Sequence, residues 1–515
     1  MSHYNNKAQQ IVRNTVYLYI RMFLVMGVTL YTSRVVLRVL GFEDFGIYNV
    51  VGSVVLFMSF LQAALRNATF RYITYELGKG EIEQLNITYS MAVNTHVILA
   101  FALFLVMEIG GVWFINSTLN ISPERLSATN WTYQFSLVTF CISIIRTPYE
   151  SNILAHERMD FYALTSIAEV VLRLASVLLL VISPIDKLAA YSALLMIVAI
   201  ILLAWYMIYC CWKFKDTKYQ MEWNKDVIRK FASYSGWALL VNGATITRSQ
   251  CINIFFNLFL GVLANAAMGV ANQVVGALNV FVTNLNQAFR PQLIKSWAEN
   301  NKDYFMKIVL SSSKMSYFLL LLVAIPVVAN IDFLLRIWLG DYPPMASVYV
   351  IAILLYYLVD AMQEPLVNSV HATGNLRFHQ IMIASIVILV IPISYVMLSS
   401  GCSGTSVLVM NALANAVCAL GRTIYMKRLI NLDLYVYLHK VVTPIVIVTL
   451  LSAPLPIYMS RHYESTWGTF IMITMLSVVL TLLISYFIGL DTAEKKLLWS
   501  MPILSKIKSN SLCRK

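Results

Sequence analysis

The chain is 515 residues long, 59% hydrophobic and only 12% charged, with a mean hydropathy of +0.71. Ordinary soluble domains carry roughly 25% charged residues, so a water-exposed surface cannot be covered here and a soluble globular protein is excluded. The excess of 38 Lys and Arg over 25 Asp and Glu gives +13, yet no long basic run suits nucleic acid. An all-α integral membrane protein is the class that remains.

A hydrocarbon core of about 30 Å needs roughly 20 mostly apolar residues per helix. By that rule about fourteen transmembrane helices follow one another. They fall at 12–36, 45–66, 88–112, 131–150, 161–183, 188–212, 231–260, 264–290, 306–330, 345–369, 379–400, 403–425, 436–459 and 466–490. The alternating ten-residue segments of a β-barrel do not occur. The N-terminus MSHYNNKAQQ is not a cleavable signal peptide, so the first helix is expected to insert directly. Of the 38 Lys and Arg, loops on the N-terminal side hold about 28 and the opposite loops about 6, which puts both termini in the cytoplasm. The connection from Trp212 to Phe231 is basic and aromatic, and reads as an interfacial segment joining two halves. The tail from Asp491 to Lys515, with Trp499 and six Lys or Arg, reads as a contact with anionic membrane lipid. The seven cysteines have no metal-ligand or disulfide-framework spacing, and neither a metal nor a cofactor is expected.

Two sets of residues recur at an offset of about 220. Leu40, Gly41, Gly46 and Asn49 return as Leu260, Gly261, Gly269 and Asn272 with three residues inserted, and Pro148, Ala155 and Phe161 return as Pro365, Ala372 and Phe378 with identical spacing. Duplicated halves of six spans each insert the same way up, giving two parallel six-helix repeats around a central cavity. The implied organisation is a six-helix lobe at 1–215, a second at 216–430, and two appended helices with a basic tail at 431–515.

The stretches RNTVYLYIRM (Arg13–Met22), YTSRVVLRVLGFEDFGIYNVVG (Tyr31–Gly52) and ATFRYITYELGKG (Ala68–Gly80) resemble bacterial polysaccharide-biosynthesis membrane proteins. These are the Wzx-type O-antigen and capsule flippases of the multidrug/oligosaccharidyl-lipid/polysaccharide (MOP) exporter superfamily, which includes the MATE transporters. The close match covers about the first 80 residues, centred on the LGxxxxG element after the first span. The resemblance implies a translocase, not an enzyme. It would flip undecaprenyl-diphosphate-linked oligosaccharide across the bacterial inner membrane by alternating access, for lipopolysaccharide O-antigen, capsule or exopolysaccharide. Polysaccharide polymerase and ligase are then natural partners.

Charges within spans are costly and usually face a cavity or a partner. Arg21 has no acid in a neighbouring turn of its span; its guanidinium fork suits a lipid-linked diphosphate, with a bridge to another helix as the competing account. Arg248 lies in the corresponding helix of the second half among Thr245, Thr247, Ser249 and Gln250. Asn272, Gly276, Asn279, Thr283, Asn286 and Arg290 repeat at spacings of three and four, which places them on one helix face. That stripe serves either sugar hydroxyls in a wet groove or helix–helix hydrogen bonding. Arg34, Arg66 and Arg71 flank the first two spans, where they meet a diphosphate or snorkel. Arg146 with Glu150 and Glu169 with Arg173 are i,i+4 pairs of opposite sign and read as structural, although Glu169 is also a proton-exchange candidate. Asp360 and Glu364 are like charges one turn apart, a candidate H+ or Na+ coupling site. Pro326 and Pro392 are expected to kink their helices.

Gly78-Lys79 lacks the upstream glycine and following Ser or Thr of an ATPase phosphate loop, so an ion gradient or downstream consumption must supply energy. His156 and His371 have no second ligand at metal spacing and read as surface histidines. Asn116, Asn120 and Asn130 match N-x-S/T by chance. A MATE-like multidrug antiporter is the first rival, but it needs cavity acids to hold cations and the first span offers Arg21 instead. A polymerase or glycosyltransferase needs catalytic groups in a large outer loop; the longest here carries only Glu124 and Arg125.

Overall fold

The computed structural model describes residues 2–56, 59–117, 123–180, 186–220, 223–340, 342–492 and 494–495. Among them every regular element is a helix. The first six are α1 (Ser2–Leu56), α2 (Ser59–Lys79), α3 (Ile82–Ser117), α4 (Pro123–Ala155), α5 (Met159–Leu180) and α6 (Lys187–Lys213). Then come α7 (Lys225–Ala298), α8 (Lys302–Ala329), a short α9 (Ile331–Leu339), α10 (Ala346–Thr373), α11 (Arg377–Ser399) and α12 (Gly404–Leu429). The last two are α13 (Leu434–His462) and α14 (Trp467–Gly489).

Nine of the described helices are long and apolar enough to cross a membrane: α3, α5, α6, α8 and α10 to α14. Length and hydropathy alone therefore do not reach fourteen spans. The other five expected spans fall on α1 with α2, on α4, and on the two halves of α7, where internal arginines, hydroxyls and amides dilute the hydropathy. Large apolar side chains point outward, as lipid requires; Phe101 is 64% and Leu450 65% exposed.

Two of these polar helices contain reversals. α7 breaks at Gly261, whose φ of 81° and ψ of 178° is essentially restricted to glycine. The break coincides with the expected boundary between the seventh and eighth spans. At 55 residues, α1 would extend about 83 Å if straight, far beyond one hydrocarbon core. Its contacts show that it doubles back. Arg21 lies by Tyr162 near the start of α5, whereas Leu40 packs with Val177 and Leu180 at the end of α5. Asp44 then bonds Arg125 at the start of α4, and Arg66 pairs with Glu150 near the end of α4. Because α4 and α5 are consecutive antiparallel helices, the chain travels one way from Arg21 to Leu40 and returns from Asp44 to Arg66. Arg125 clips this reversal: its Nε donates to Asp44 Oδ1 (2.9 Å) and its Nη1 to Asp186 Oδ2 (2.6 Å). Asp186 also caps α6 by accepting from the Leu188 and Ala189 amides, which satisfies donors the first turn leaves open.

The described residues form two compact units, one spanning Val16–Leu239 and the other comprising Leu240 onward with the residues before Val16. The division falls inside α7. Within the first unit α4 packs on α3 and α6, and α5 on α6; within the second α10 packs on α8 and α12, and α11 on α12. Both packing patterns follow the same chain order at the offset found in the sequence. Pro148 and Pro365 occupy equivalent places inside α4 and α10.

The basic connection after α6 packs on protein. Phe214 and Thr217 are 6% and 5% exposed. The Lys218 and Gln220 amides donate to Asn86 Oδ1 (2.6 Å) and Ser90 Oγ (2.8 Å) of α3. His156 is correspondingly no free surface histidine. Its ring stacks on Phe214 at 4.0 Å and its Nε2 lies 3.1 Å from Asp216 Oδ2.

Candidate functional site

In the first unit, α1, α2, α4 and α5 converge on a chain of charges. Glu150 pairs with Arg66 at 3.7 Å. Arg146 reaches past its helical neighbour Glu150 to donate to Glu169 on α5 (Nη1–Oε2, 3.3 Å). Glu169 receives a shorter bond from Arg173 Nη2 (2.7 Å). The expected Arg146–Glu150 pair is thus replaced by a helix-to-helix bridge, while Glu169–Arg173 forms as spaced. Three guanidinium groups against two carboxylates leave one positive charge. Beside them opens a cavity of about 290 Å3, lined by Arg146, Glu169, Arg173, Tyr48, hydroxyls of α4 and apolar side chains of α6.

Arg21 lies outside this chain. Its guanidinium sits 4.6 Å from the centroid of Tyr162, and its Nε is buried without a hydrogen-bond partner among the described residues. A cation held by an aromatic face and an unused donor is poised for an anion. Arg71 is placed differently from the expectation of an open helix end. It is 7% exposed and enclosed by Tyr72 (4.5 Å), Tyr75 (5.3 Å) and Tyr234 (5.7 Å). The side chain of Arg34 lies outside the described residues.

The second unit holds its own cluster. Arg248 is 9% exposed and donates from Nη1 to Asn411 Oδ1 (2.8 Å) and from Nη2 to Tyr356 OH (3.4 Å). One turn beyond Tyr356, Asp360 is neighboured by Arg422, Arg248 and Asn415. Glu364 is neighboured by Asp360, Arg290 and Arg422. Neither acid forms an ion pair within 4.0 Å among the described residues. Arg422, 5% exposed, is instead spent on His379 Nε2 (3.1 Å) and Gln363 Oε1 (3.5 Å). The two carboxylates and their cations are therefore near neighbours held apart, an arrangement open to a proton or small cation.

Sequence reasoning did not single out Arg422. A signal was present: Asn411, Asn415 and Arg422 at spacings of four and seven share one face of α12. The stripe on the second half of α7 divides. Asn272, Gly276 and Thr283 are exposed and Asn279 half-buried, whereas Asn286 is buried and donates to Ser316 Oγ on α8 (3.2 Å). Asn286 is thus helix–helix glue, whereas the earlier part of the stripe and the half-buried Arg290 are available to a solute.

A family model described as polysaccharide biosynthesis protein matches residues 11–297. No curated protein sequence matches the chain. Among solved structures, a mutant MATE has a TM-score of 0.71 at 11% identity, covering 82% of this chain and 98% of that one. A Vibrio cholerae MATE transporter mutant gives 0.70 at 15% identity, covering 84% and 100%. A MOP superfamily transporter from Pyrococcus furiosus, described for the reverse polarity of its binding pocket, gives 0.68 at 13% identity, covering 82% and 98%. The chain is thus a multi-pass α-helical membrane protein with the MATE/MOP fold.

Proposed function

The chain belongs to the polysaccharide biosynthesis protein family, and from that premise we propose that it is a flippase for undecaprenyl-diphosphate-linked oligosaccharide. The observation that carries the reading is Arg21 of α1: among the described residues its guanidinium faces the Tyr162 ring and its buried Nε has no hydrogen-bond partner. Such a group is costly in a bilayer unless an anion or water meets it. A diphosphate supplies paired oxygens that match the guanidinium fork. The charge cluster of the first unit, Arg66, Arg146 and Arg173 against Glu150 and Glu169, favours anionic cargo and disfavours the cationic drugs of an antiporter.

In this reading Arg21, with Arg66 at its ion pair and Arg248 and Arg290 in the second unit, draws the diphosphate through the membrane interior. Asn272 and Asn279 offer amides to sugar hydroxyls. Asp360 and Glu364 couple transport to H+ or Na+, and Glu169 serves as an internal counter-ion. The protein acts in the bacterial inner membrane with cytoplasmic termini, feeding a periplasmic polymerase and ligase.

The test is glycan sidedness in a strain lacking the chain. Lipid-linked repeat units should accumulate facing the cytoplasm and clear only when the wild-type chain is restored. Units that reach the periplasm normally in the deletion strain would overturn the reading.

A further inference from the structure

The cavity of the first unit has features that a diphosphate site does not explain. Ser136, Thr139, Ser143 and Arg146 all line it, and their spacing of three, four and three puts them on one face of α4. The Thr139 hydroxyl donates to Phe135 O (2.7 Å) and the Ser143 hydroxyl to Phe140 O (2.7 Å). With its proton committed to the helix, Thr139 Oγ1 keeps its lone pairs for an incoming donor, and Ser143 Oγ, which also accepts from Gln62 Nε2 (3.3 Å), keeps one. Val198 and Leu202 of α6 form an apolar part of the lining, a surface suited to the C–H face of a sugar ring.

Arg146 is the incomplete member. It has five N–H donors, its contact with Glu169 is long at 3.3 Å, and its Nε is buried without a partner among the described residues. Glu169 is held more closely by Arg173, at 2.7 Å. Arg146 can therefore turn its fork to another carboxylate while Glu169 remains neutralised. Arg146 and Arg173 against Glu169 leave one positive charge, which fits a monoanion. A diphosphate would bring a second negative charge against Glu169. A bare halide would leave most of the roughly 290 Å3 empty. That volume lies at the small end of ligand pockets and admits one sugar ring.

We propose that this cavity binds a single carboxylate-bearing sugar residue of the translocated glycan, with its carboxylate on Arg146 and its hydroxyls on Thr139 and Ser143. The inference rests on the flippase reading and narrows its substrate to a glycan containing a uronic acid or similar acidic sugar. Ala199 also lines the cavity, so Ala199→Leu fills it without changing charge. Arg146→Gln removes the fork while Arg173 still neutralises Glu169.

The experiment is saturation-transfer NMR on the full-length protein in lipid nanodiscs, with glucuronate, glucose and acetate as separate probes. Wild type should bind glucuronate about tenfold or more tightly than glucose or acetate. Both Arg146→Gln and Ala199→Leu should lose that preference, with each variant's folded state checked by size-exclusion profile. Acetate binding as well as glucuronate, or glucuronate binding unchanged in both variants, would overturn the sugar site. So would no binding to wild type. The deletion-strain sidedness assay reads the flippase function separately: normal periplasmic delivery without the chain defeats that reading, whereas failure of the NMR result alone defeats only the acidic-sugar site.

Discussion

Lys314 offers a demanding test of the packing. Its side chain is 2% exposed and lies 2.8 Å from Glu494, itself 8% exposed, just beyond α14. Asp491, 52% exposed, stands further off at 3.8 Å. At an effective dielectric constant of about 20, a pair at the shorter distance attracts by roughly 6 kcal/mol before desolvation is charged against it. Removing one partner of a buried pair typically costs about 3–5 kcal/mol, because the other charge stays behind uncompensated. Asp491 remains nearby in Glu494→Gln, so the lower end, about 3 kcal/mol, is expected. At about 2 °C per kcal/mol for a unit of this size, the melting temperature falls by roughly 6 °C. Fluorescence-detected thermal melting of the purified protein measures this directly. Lys314→Met combined with Glu494→Gln removes both charges and should recover most of the loss. A Glu494→Gln protein as stable as wild type, or a double variant no better than the single one, would refute the reasoning.

Three further outcomes follow from the same structure. Arg21→Ala should abolish glycan export with membrane insertion intact, and Arg21→Lys should retain partial export because an ammonium keeps the Tyr162 contact but not the fork; export assays with membrane-fraction blots check both. Asp360→Asn with Glu364→Gln should make export insensitive to collapse of the ion gradient, read by comparing lipid-linked glycan sidedness with and without an ionophore. Asp216→Asn should loosen the segment from Phe214 to Gln220 by about 1 kcal/mol, the usual worth of one such bond, and appear as faster cleavage there by limited proteolysis.

The architecture was legible where it depends on local chemistry. Gly261 marks the break between two spans because its backbone conformation excludes side chains, and Pro148 and Pro365 mark equivalent helices because one duplicated pattern shaped both. Hydropathy was less informative where helices carry function. α1, α4 and α7 are diluted by the residues that make them interesting, so composition alone yields nine candidate spans. Long-range pairings were hidden. Arg146 and Glu150 stand four apart in sequence, yet Arg146 bonds Glu169 and Glu150 pairs with Arg66. Lys314 and Glu494 meet across a long stretch of chain that contains all of α10 to α14. The connection after α6 looked like a lipid-surface segment because its charges are conspicuous. Its neutral contacts, Thr217 with Asn152 and Tyr219 with Asn94, decide where it lies.

The measurement closest to the central claim is translocation by the purified chain itself. Proteoliposomes would carry labelled undecaprenyl-diphosphate oligosaccharide in one leaflet, with glycosidase added outside to report how much becomes accessible over time. Accessibility should rise with wild-type protein and stay at the protein-free level with Arg21→Ala. Equal accessibility with wild type, with Arg21→Ala and without protein would contradict the account.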